Sequence, residues 1–348
     1  MSRIAVIPGD GIGPEVMAEA VGVLSVVDRG ADLGLELTEW DLGADRYLGT
    51  GATITDAEMK ELGGYDAILL GALGDPRVPG NEHARDILLG LRFRLDLYVN
   101  LRPVRLLQPG GSPLKDELSR DIDLVIFREN TEGSYVGMGG VFKGGTPDEV
   151  AVEEDVNTRK GVERILRAAF EHASRTGRPL TMADKANAMR HSGQLWRRVF
   201  EAVGGEFPDV DRTVMYVDAL ATDLVLRPGE YGVIVTSNLF GDIISDLAAG
   251  LVGGLGLAPS ANLHPDRIGL FEPVHGSAPD IAGQGVANPV AAILTAALML
   301  EHLGWPEHAR RVTAAVESSI REGVTTPDLG GSATTVEVGE RIRGALAS

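Results

Sequence analysis

Short apolar runs, each followed by a polar or glycine-containing turn, predict buried strands along most of the chain. They lie at Arg3–Pro8, Ala67–Leu70, Asp123–Phe127, Thr181–Ala183, Thr213–Val217 and Val233–Thr236. Other segments have apolar residues three and four positions apart, which is the spacing of one buried helix face. The helix after the first strand (Val16, Ala20, Val23, Leu24, Val27) and the segment Gly161–Ala173 are examples. A strand, a glycine turn and a helix at the start of the chain predict an α/β fold.

The first turn does not carry the dinucleotide-binding fingerprint. A G-x-G-x-x-G motif beginning at Gly9 would need a third glycine at position 14, which is Pro14. No acidic residue is placed to complete the motif. The turn alone therefore does not predict dinucleotide binding.

The segment from Phe271 to Pro289 combines prolines and glycines with phenylalanine, valine, isoleucine and histidine. This composition is typical of an ordered loop and not of a flexible linker. An apolar run follows, which predicts a helix with Asn288 at the N-cap and Pro289 at its first position. The backbone N–H groups of such a helix start can bind a polar or anionic ligand. A structural loop with an ordinary helix cap is the alternative.

The 348 residues suit one large α/β unit or two domains. Glycine-rich or proline-rich stretches at 105–115 and 250–257 predict two crossings between lobes. We therefore expect a discontinuous first domain, 1–99 plus 252–348, and a second domain at 100–251. The net charge of −18 argues against nucleic acid or an anionic membrane as a partner. The absence of cysteine fits a cytoplasmic location.

Carboxylates lie four residues apart in the segment 238–250, which is predicted to be a helix. Its apolar face is predicted to contain Ile243, Ile244, Leu247 and Leu251. Asp242 and Asp246 share another face, where like charges destabilise a helix by roughly 0.2–0.5 kcal/mol unless a cation lies between them. A solvated polar face is one interpretation. Together with Asp218, which follows a strand, the pair would instead suit Mg²⁺ or Mn²⁺.

Arginines are candidates for anion binding because an acidic protein needs them locally to hold an anionic substrate. The three candidates are Arg92, Arg102 and Arg128. Leu88 and Leu89 precede Arg92 by four and three positions, so either could line an apolar pocket beside it or simply pack in the core. Tyr135 and Lys185 follow turns. A lone lysine becomes a useful base only when burial or a nearby cation lowers its pKa.

Six segments, in order and spacing, resemble the isocitrate/isopropylmalate family of β-decarboxylating dehydrogenases, and its isopropylmalate branch most closely. They are GDGIGPE, LRFRLDLYVNLRP, DKAN, NLFGDIISDLA, EPVHGSAPDIAGQGVANP and TPDLGG. The resemblance implies a two-lobed α/β fold with an open mixed sheet, distinct from the Rossmann fold. It also implies that the first domain binds the cofactor, and that the second carries an arm and dimerisation elements. The active sites of the implied homodimer take residues from both subunits.

The resemblance further implies a role for each candidate residue. Arg92, Arg102 and Arg128 would grip the substrate carboxylates. Asp242 and Asp246 would bind Mg²⁺ or Mn²⁺ with Asp218 of the partner subunit, which also faces the substrate. Lys185 of the partner subunit would take the hydroxyl proton, and Tyr135 would protonate the enol after CO₂ leaves. The cofactor would be held by His275, Gly276, Ser277, Ala278, Pro279, Asp280 and Asn288.

The substrate and the cofactor follow from two further points of resemblance. Leu88 and Leu89 match a pair that contacts an isopropyl group, which implies 3-isopropylmalate and a place in leucine biosynthesis. Asp280 implies NAD⁺, because a carboxylate accepts hydrogen bonds from a ribose diol but repels a 2′-phosphate. RENTEGSY and the small Ala188 depart from the isopropylmalate pattern. Tartrate, D-malate or homoisocitrate therefore stay open as substrates, and a catalytically silent regulatory subunit is the alternative of another class.

Overall fold

The computed structural model describes residues 1–108, 110–115, 118, 121–265 and 267–347. The strands are β1 Ser2–Gly9, β2 Leu35–Glu39, β3 Ala67–Ala72, β4 Val99–Arg105, β5 Asp123–Glu129, β6 Gly139–Phe142, β7 Val150–Glu153, β8 Leu180–Asp184, β9 Arg212–Tyr216, β10 Val233–Thr236, β11 Pro259–Leu263 and β12 Gly269–Pro273. The helices are α1 Gly13–Ala31, α2 Ala44–Thr50, α3 Asp56–Leu62, α4 Glu82–Arg94, α5 Arg159–Thr176, α6 Arg190–Gly204, α7 Val217–Leu226, α8 Asn238–Leu251, α9 Val290–His302, α10 Pro306–Arg321 and α11 Thr335–Ala347.

The chain divides into two compact units, and the first comprises Met1–Leu97, Leu106–Asp116 and Ala249–Ser348. Its strands run in the order β2-β1-β3-β12-β11. All neighbours are parallel except β11 and β12, which are antiparallel. Every residue of β3 is buried, as expected for a central strand covered on both faces. One core cluster packs β1, β3, α3 and α4 together.

The second unit comprises Tyr98–Arg105 and Glu117–Ala248. Its strands run in the order β4-β5-β10-β8-β9, with β4 antiparallel to β5 and the others parallel. Helix α5 buries one face and packs against α6, where the rings of Phe170 and Phe200 lie 5.1 Å apart. Strands β6 and β7 form a separate antiparallel hairpin whose residues are all exposed.

The predicted α/β class with a mixed sheet is confirmed, and the predicted strands lie at the observed positions with small shifts. Three local predictions are wrong. Val217 begins α7 instead of ending β9. Pro289, not Asn288, is the N-cap of α9, although Asn288 Oδ1 still accepts from the N–H of Val290 at 3.0 Å. Ile243 is 57% exposed, so the buried face of α8 excludes it.

Pro109, inside the first predicted crossing, lies outside the described residues. No helix among the described residues combines the length and apolar character needed to cross a bilayer.

Candidate active site

Arg102 and Arg128 come together because their strands pair. In the antiparallel register of β4 and β5, Asn100 lies opposite Arg128, and Arg102 follows two residues later on the same face. Arg102 Nε donates to Asn100 Oδ1 at 2.8 Å. Its Nη1 donates to Ser245 Oγ at 2.6 Å and to Asp246 Oδ1 at 3.1 Å. The sheet thus presents two arginines side by side to helix α8.

Helix α8 supplies the acceptors for Arg128, whose side chain is almost fully buried. Arg128 donates through Nε and Nη2 to Asn238 Oδ1 at 2.9 and 2.7 Å, and through Nη1 to Asp242 Oδ1. The helix can approach this closely because Gly241 has no side chain. A Cβ there would lie 2.5 Å from Arg128 Cγ, far inside van der Waals contact.

Tyr135 joins the same network from the short 3₁₀ turn Ser134–Val136. Its hydroxyl donates to Asp242 Oδ2 at 2.8 Å, and the guanidinium of Arg128 lies 5.1 Å from its ring centroid. Burial and the hydrogen bond to Asp242 raise the pKa of the Tyr135 phenol above its usual value. The phenol therefore keeps its proton through neutral and moderately alkaline pH.

Asp242 and Asp246 occupy successive turns of α8, so their carboxylates face the same region. Burial, together with the negative charge of Asp242, raises the pKa of Asp246. Arg102 opposes this shift, since it lies within hydrogen-bond distance of both carboxylates. Carboxylate oxygens are hard donors of the kind that Mg²⁺ and Mn²⁺ prefer, so the pair fits a divalent cation.

Asp218 is placed elsewhere, beside Lys185. Strands β8 and β9 are parallel, and the residues that follow them, Lys185 and Asp218, meet at the same edge. Lys185 Nζ lies 2.5 Å from Asp218 Oδ1, and this hydrogen bond lowers the pKa of the Asp218 carboxyl. Within the described part of the chain, no three carboxylate or histidine side chains are grouped to hold a metal. Asp218 is thus not brought to Asp242 and Asp246 within one chain.

In the first unit, Arg92 lies in the last turn of α4, and its side chain is buried. Its Nη2 donates to Glu272 Oε1 at 2.8 Å. The two leucines that precede it differ in their surroundings. Leu88 packs against the core cluster, whereas Leu89 is half-buried and lies outside that cluster. Leu89 is therefore the better placed of the two to contact a ligand.

The predicted cofactor segment follows β12 as an ordered loop. The N–H of Ile12 donates to the carbonyl of Ser277 at 2.8 Å, which joins the first glycine turn to this loop. His275 Nδ1 lies 2.9 Å from the Gly276 carbonyl, and burial lowers the pKa of its imidazole. Asn288 Nδ2 donates to Asp328 Oδ2 at 3.0 Å. Ala278 has a φ of 38°, a sign of a tightly shaped turn.

The other residues of the predicted cofactor set range from buried to exposed. Ser277 is buried and Ala278 is half-buried. Gly276, Pro279 and Asp280 are exposed. These residues thus form one side of a loop that a ligand can reach.

Sequence reasoning missed three side chains that organise these groups. Asn238 accepts from Arg128, Asn100 accepts from Arg102, and Glu272 accepts from Arg92. Asn238 could have been found, since it precedes Asp242 by four residues and so shares its helix face. Glu272 had a signal too, because an acidic residue inside an apolar strand requires a partner.

The chain is similar in sequence and in structure to known proteins. Residues 3–342 match the family described as isocitrate/isopropylmalate dehydrogenase. The 3-isopropylmalate dehydrogenase of Beutenbergia cavernae is 52% identical to this chain, over 99% of the chain and 98% of that protein. That of Thermobifida fusca is 50% identical, over 98% of the chain and 96% of that protein. The crystal structure of isocitrate dehydrogenase from Methylococcus capsulatus is similar with a TM-score of 0.90 and 38% identity, over 100% of both chains.

Proposed function

Since the chain belongs to the isocitrate/isopropylmalate dehydrogenase family, we propose that it catalyses the NAD⁺-dependent oxidative decarboxylation of (2R,3S)-3-isopropylmalate to 4-methyl-2-oxopentanoate, a step of leucine biosynthesis. The observation that carries the proposal is the network in which Arg102, Arg128 and Tyr135 all contact Asp242. Around the Asp242 carboxylate, this network brings together arginines that can bind anions and a tyrosine that can donate a proton. The carboxylate itself is a suitable ligand for a hard cation.

Substrate binding follows from the positive groups of this network. Arg102 and Arg128 would bind carboxylates of the substrate, since a guanidinium matches a carboxylate with paired N–H donors. Arg92 is proposed to bind a carboxylate as well. Leu89 would contact the isopropyl group, since Leu88 is already packed against the core. A polar third carboxylate, as in isocitrate, would lose its hydration beside such a leucine without gaining a partner.

The proton transfers would use Lys185 and Tyr135. Lys185 Nζ would accept the proton of the C2 hydroxyl as a hydride leaves C2. Its hydrogen bond to Asp218 Oδ1 at 2.5 Å holds the Lys185 amine beside a carboxylate that is itself a proposed ligand of the cation. After CO₂ leaves from C3, the Tyr135 hydroxyl would give its proton to C3. Its raised pKa keeps that proton available.

The chain's residues would hold a divalent cation and NAD⁺ in separate places. Asp242 and Asp246, with Asp218 of the partner subunit, would hold Mg²⁺ or Mn²⁺, and the loop from His275 to Asp280 with Asn288 would hold NAD⁺ on the first unit. The cation supplies charge that acidifies the hydroxyl and stabilises the enolate, and the nicotinamide accepts the hydride. The shared ligand set makes a homodimer, joined through the second unit, part of the proposal.

A substrate panel tests the proposal. The purified protein is assayed with Mg²⁺ or Mn²⁺ and NAD⁺, and NADH and CO₂ are followed for 3-isopropylmalate, D-malate, tartrate, homoisocitrate and isocitrate. We expect the highest kcat/KM with 3-isopropylmalate and equal yields of NADH and CO₂. A higher kcat/KM with D-malate or tartrate, the alternative that the RENTEGSY segment leaves open, would replace the substrate assignment. NADH without CO₂ would refute the decarboxylation.

A further inference from the structure

Glu272 is a buried carboxylate on strand β12 that contacts Arg92. Its side chain is 11% exposed, and its Oε1 accepts from Arg92 Nη2 at 2.8 Å. The same oxygen accepts from Asn262 Nδ2 at 2.8 Å. Asn262 is fully buried on the neighbouring strand β11, and Ser260 Oγ donates to the backbone carbonyl of Glu272 at 2.7 Å. Asn262 therefore holds the carboxylate, and Ser260 holds the backbone of the same residue, independently of the arginine.

The contact leaves part of the Arg92 guanidinium without a partner. Its Nε atom is buried, and no hydrogen-bond acceptor among the described residues reaches it. A buried N–H without a partner costs about 1–3 kcal/mol, so such a donor is retained where an acceptor arrives from outside. The guanidinium is planar, so a bond at Nη2 fixes the direction in which Nε–H points.

We infer that Glu272 is a positioning residue for substrate binding: its Oε1 anchors one nitrogen of Arg92 so that Nε–H is presented to a substrate carboxylate. The inference rests on the proposed function, because it takes Arg92 to bind substrate. Glu272 itself does not touch the substrate. An unanchored arginine would have to be ordered on binding, and this entropic cost lowers affinity.

A purely structural ion pair is the competing explanation. Breaking such a pair destabilises a protein but does not affect one ligand selectively. The two explanations therefore differ in the KM for the hydroxy-acid relative to kcat and to the KM for NAD⁺. They also differ in whether an uncharged hydrogen-bond acceptor at the position of Glu272 Oε1 is sufficient to preserve the affinity for the hydroxy-acid. An amide oxygen at the Oε1 position can still accept from both Arg92 and Asn262.

The experiment compares Glu272→Ala and Glu272→Gln in the full-length, metal-loaded enzyme. We expect Glu272→Ala to raise the KM for the hydroxy-acid about tenfold, the effect of roughly one hydrogen bond to a charged group. Its kcat and its KM for NAD⁺ should stay within about twofold of the wild type. Glu272→Gln should recover most of the affinity, because it restores the acceptor oxygen without the charge. Calorimetry of hydroxy-acid binding with Mg²⁺ and no cofactor should give the same order of affinities.

The control is Glu19→Ala, which breaks another ion pair of the same unit, the one between the buried Glu19 and the half-buried Arg343. It should lower the melting temperature without changing the KM. An unchanged KM in Glu272→Ala, or a Glu272→Gln variant as impaired as the alanine variant, would overturn the inference. Binding of hydroxy-acids without turnover in the wild type would refute the proposed function alone, since the Glu272 variants are still compared by calorimetry. Absence of any hydroxy-acid binding would overturn both.

Discussion

The carboxylate of Asp280 is exposed, and nothing in the described part of the chain donates a hydrogen bond to it. Its backbone is fixed, since Gln284 Nε2 donates to the Asp280 carbonyl at 2.8 Å. The turn is also tied from the other side by the Gly283 N–H, which donates to Glu15 Oε1 at 3.0 Å. An exposed carboxylate with unused acceptors on a tethered turn suits a diol and repels a phosphate.

We therefore expect kcat/KM to favour NAD⁺ over NADP⁺ by on the order of 100-fold. Asp280→Lys should lower the value for NAD⁺ and raise it for NADP⁺, because the charge near the ribose changes sign. Glu36→Lys is the control, since it makes the same change of charge at an exposed position of the same unit. If the wild type used the two cofactors equally, or if both variants responded in the same way, Asp280 would not be the residue that determines the cofactor preference.

The sequence predicted individual site residues through motifs, but the contacts among them depend on pairing that no motif contains. Asp242 and Tyr135 are separated by 107 positions, yet their hydrogen bond requires that α8 approach the 3₁₀ turn. That approach depends on β5 and β10 pairing in one register and on Gly241 having no side chain. Asn100 was missed because no motif marks it as the acceptor for Arg102, which lies two residues later on the same strand.

At the scale of elements, helix α8 concentrates the proposed chemistry. Asn238, Asp242 and Asp246 follow one another at intervals of four residues and therefore line one side of the helix. The neighbouring positions Leu239 and Ile243 are exposed, with 41% and 57% of their surface accessible. The helix is thus polar toward the arginines and apolar toward a surface that the single chain leaves uncovered.

The paired carboxylates predict a measurable effect of divalent metal on stability. Millimolar Mg²⁺ should raise the melting temperature of the wild type, because a ligand of the folded state at about 100 times its Kd adds about 2.7 kcal/mol. Asp246→Asn should abolish the rise, whereas Glu206→Gln, an exposed ion-pair residue of the same unit, should retain it. Differential scanning fluorimetry with Mg²⁺ and with a chelator makes the comparison.

The stabilisation by Mg²⁺ should also depend on pH and become smaller as the solution is acidified. The pKa of Asp246 is raised, so its carboxylate takes up a proton at a higher pH than an ordinary aspartate as the solution is acidified. The protonated group is a poor metal ligand. The stabilisation by Mg²⁺ should therefore shrink as the pH falls through that raised pKa, and a pH-independent rise would place the metal elsewhere.

Elements were predictable where the hydrophobic pattern alone decides them. Strand β10 has the predicted bounds, and β3, β5 and β8 differ from prediction by at most two residues at an end. Errors occur where a local signal competes with tertiary packing. Ile243 was assigned to the core because it is apolar, but helix α8 buries Gly241, Ile244 and Ser245 instead. A hydrophobic pattern cannot distinguish a core face from a face that binds another chain.

At the scale of the whole molecule, three groups of exposed apolar side chains stand out on the second unit. They are Val141, Phe142, Val150 and Val152 on the β6–β7 hairpin, Val225 and Leu226 on α7, and Leu239 and Ile243 on α8. Apolar surface of this extent is typical of an interface between protein chains. This supports the proposed homodimer, in which Lys185 and Asp218 of one chain would meet Asp242 and Asp246 of the other.

A shared site predicts that two inactive variants complement each other. Lys185→Met removes the proposed base, and Asp246→Asn removes a proposed metal ligand, so each variant alone should be inactive. In a heterodimer of the two, one active site would combine Lys185 and Asp218 of one chain with Asp242 and Asp246 of the other, all of them intact. The second site of the same dimer would carry both defects. Random re-pairing of equal amounts should therefore restore roughly a quarter of wild-type activity, because half of the dimers are mixed and each has one intact site.

The measurement is NADH formation after the two variants are co-expressed or are mixed, dissociated and reassociated. Mixing without dissociation is the control, since intact homodimers exchange no residues and should stay inactive. If all four residues acted within one chain, every site in the mixture would lack either its base or its metal ligand. Activity would then stay at the background of the separate variants, and the division of Lys185 and Asp246 between two subunits would be refuted.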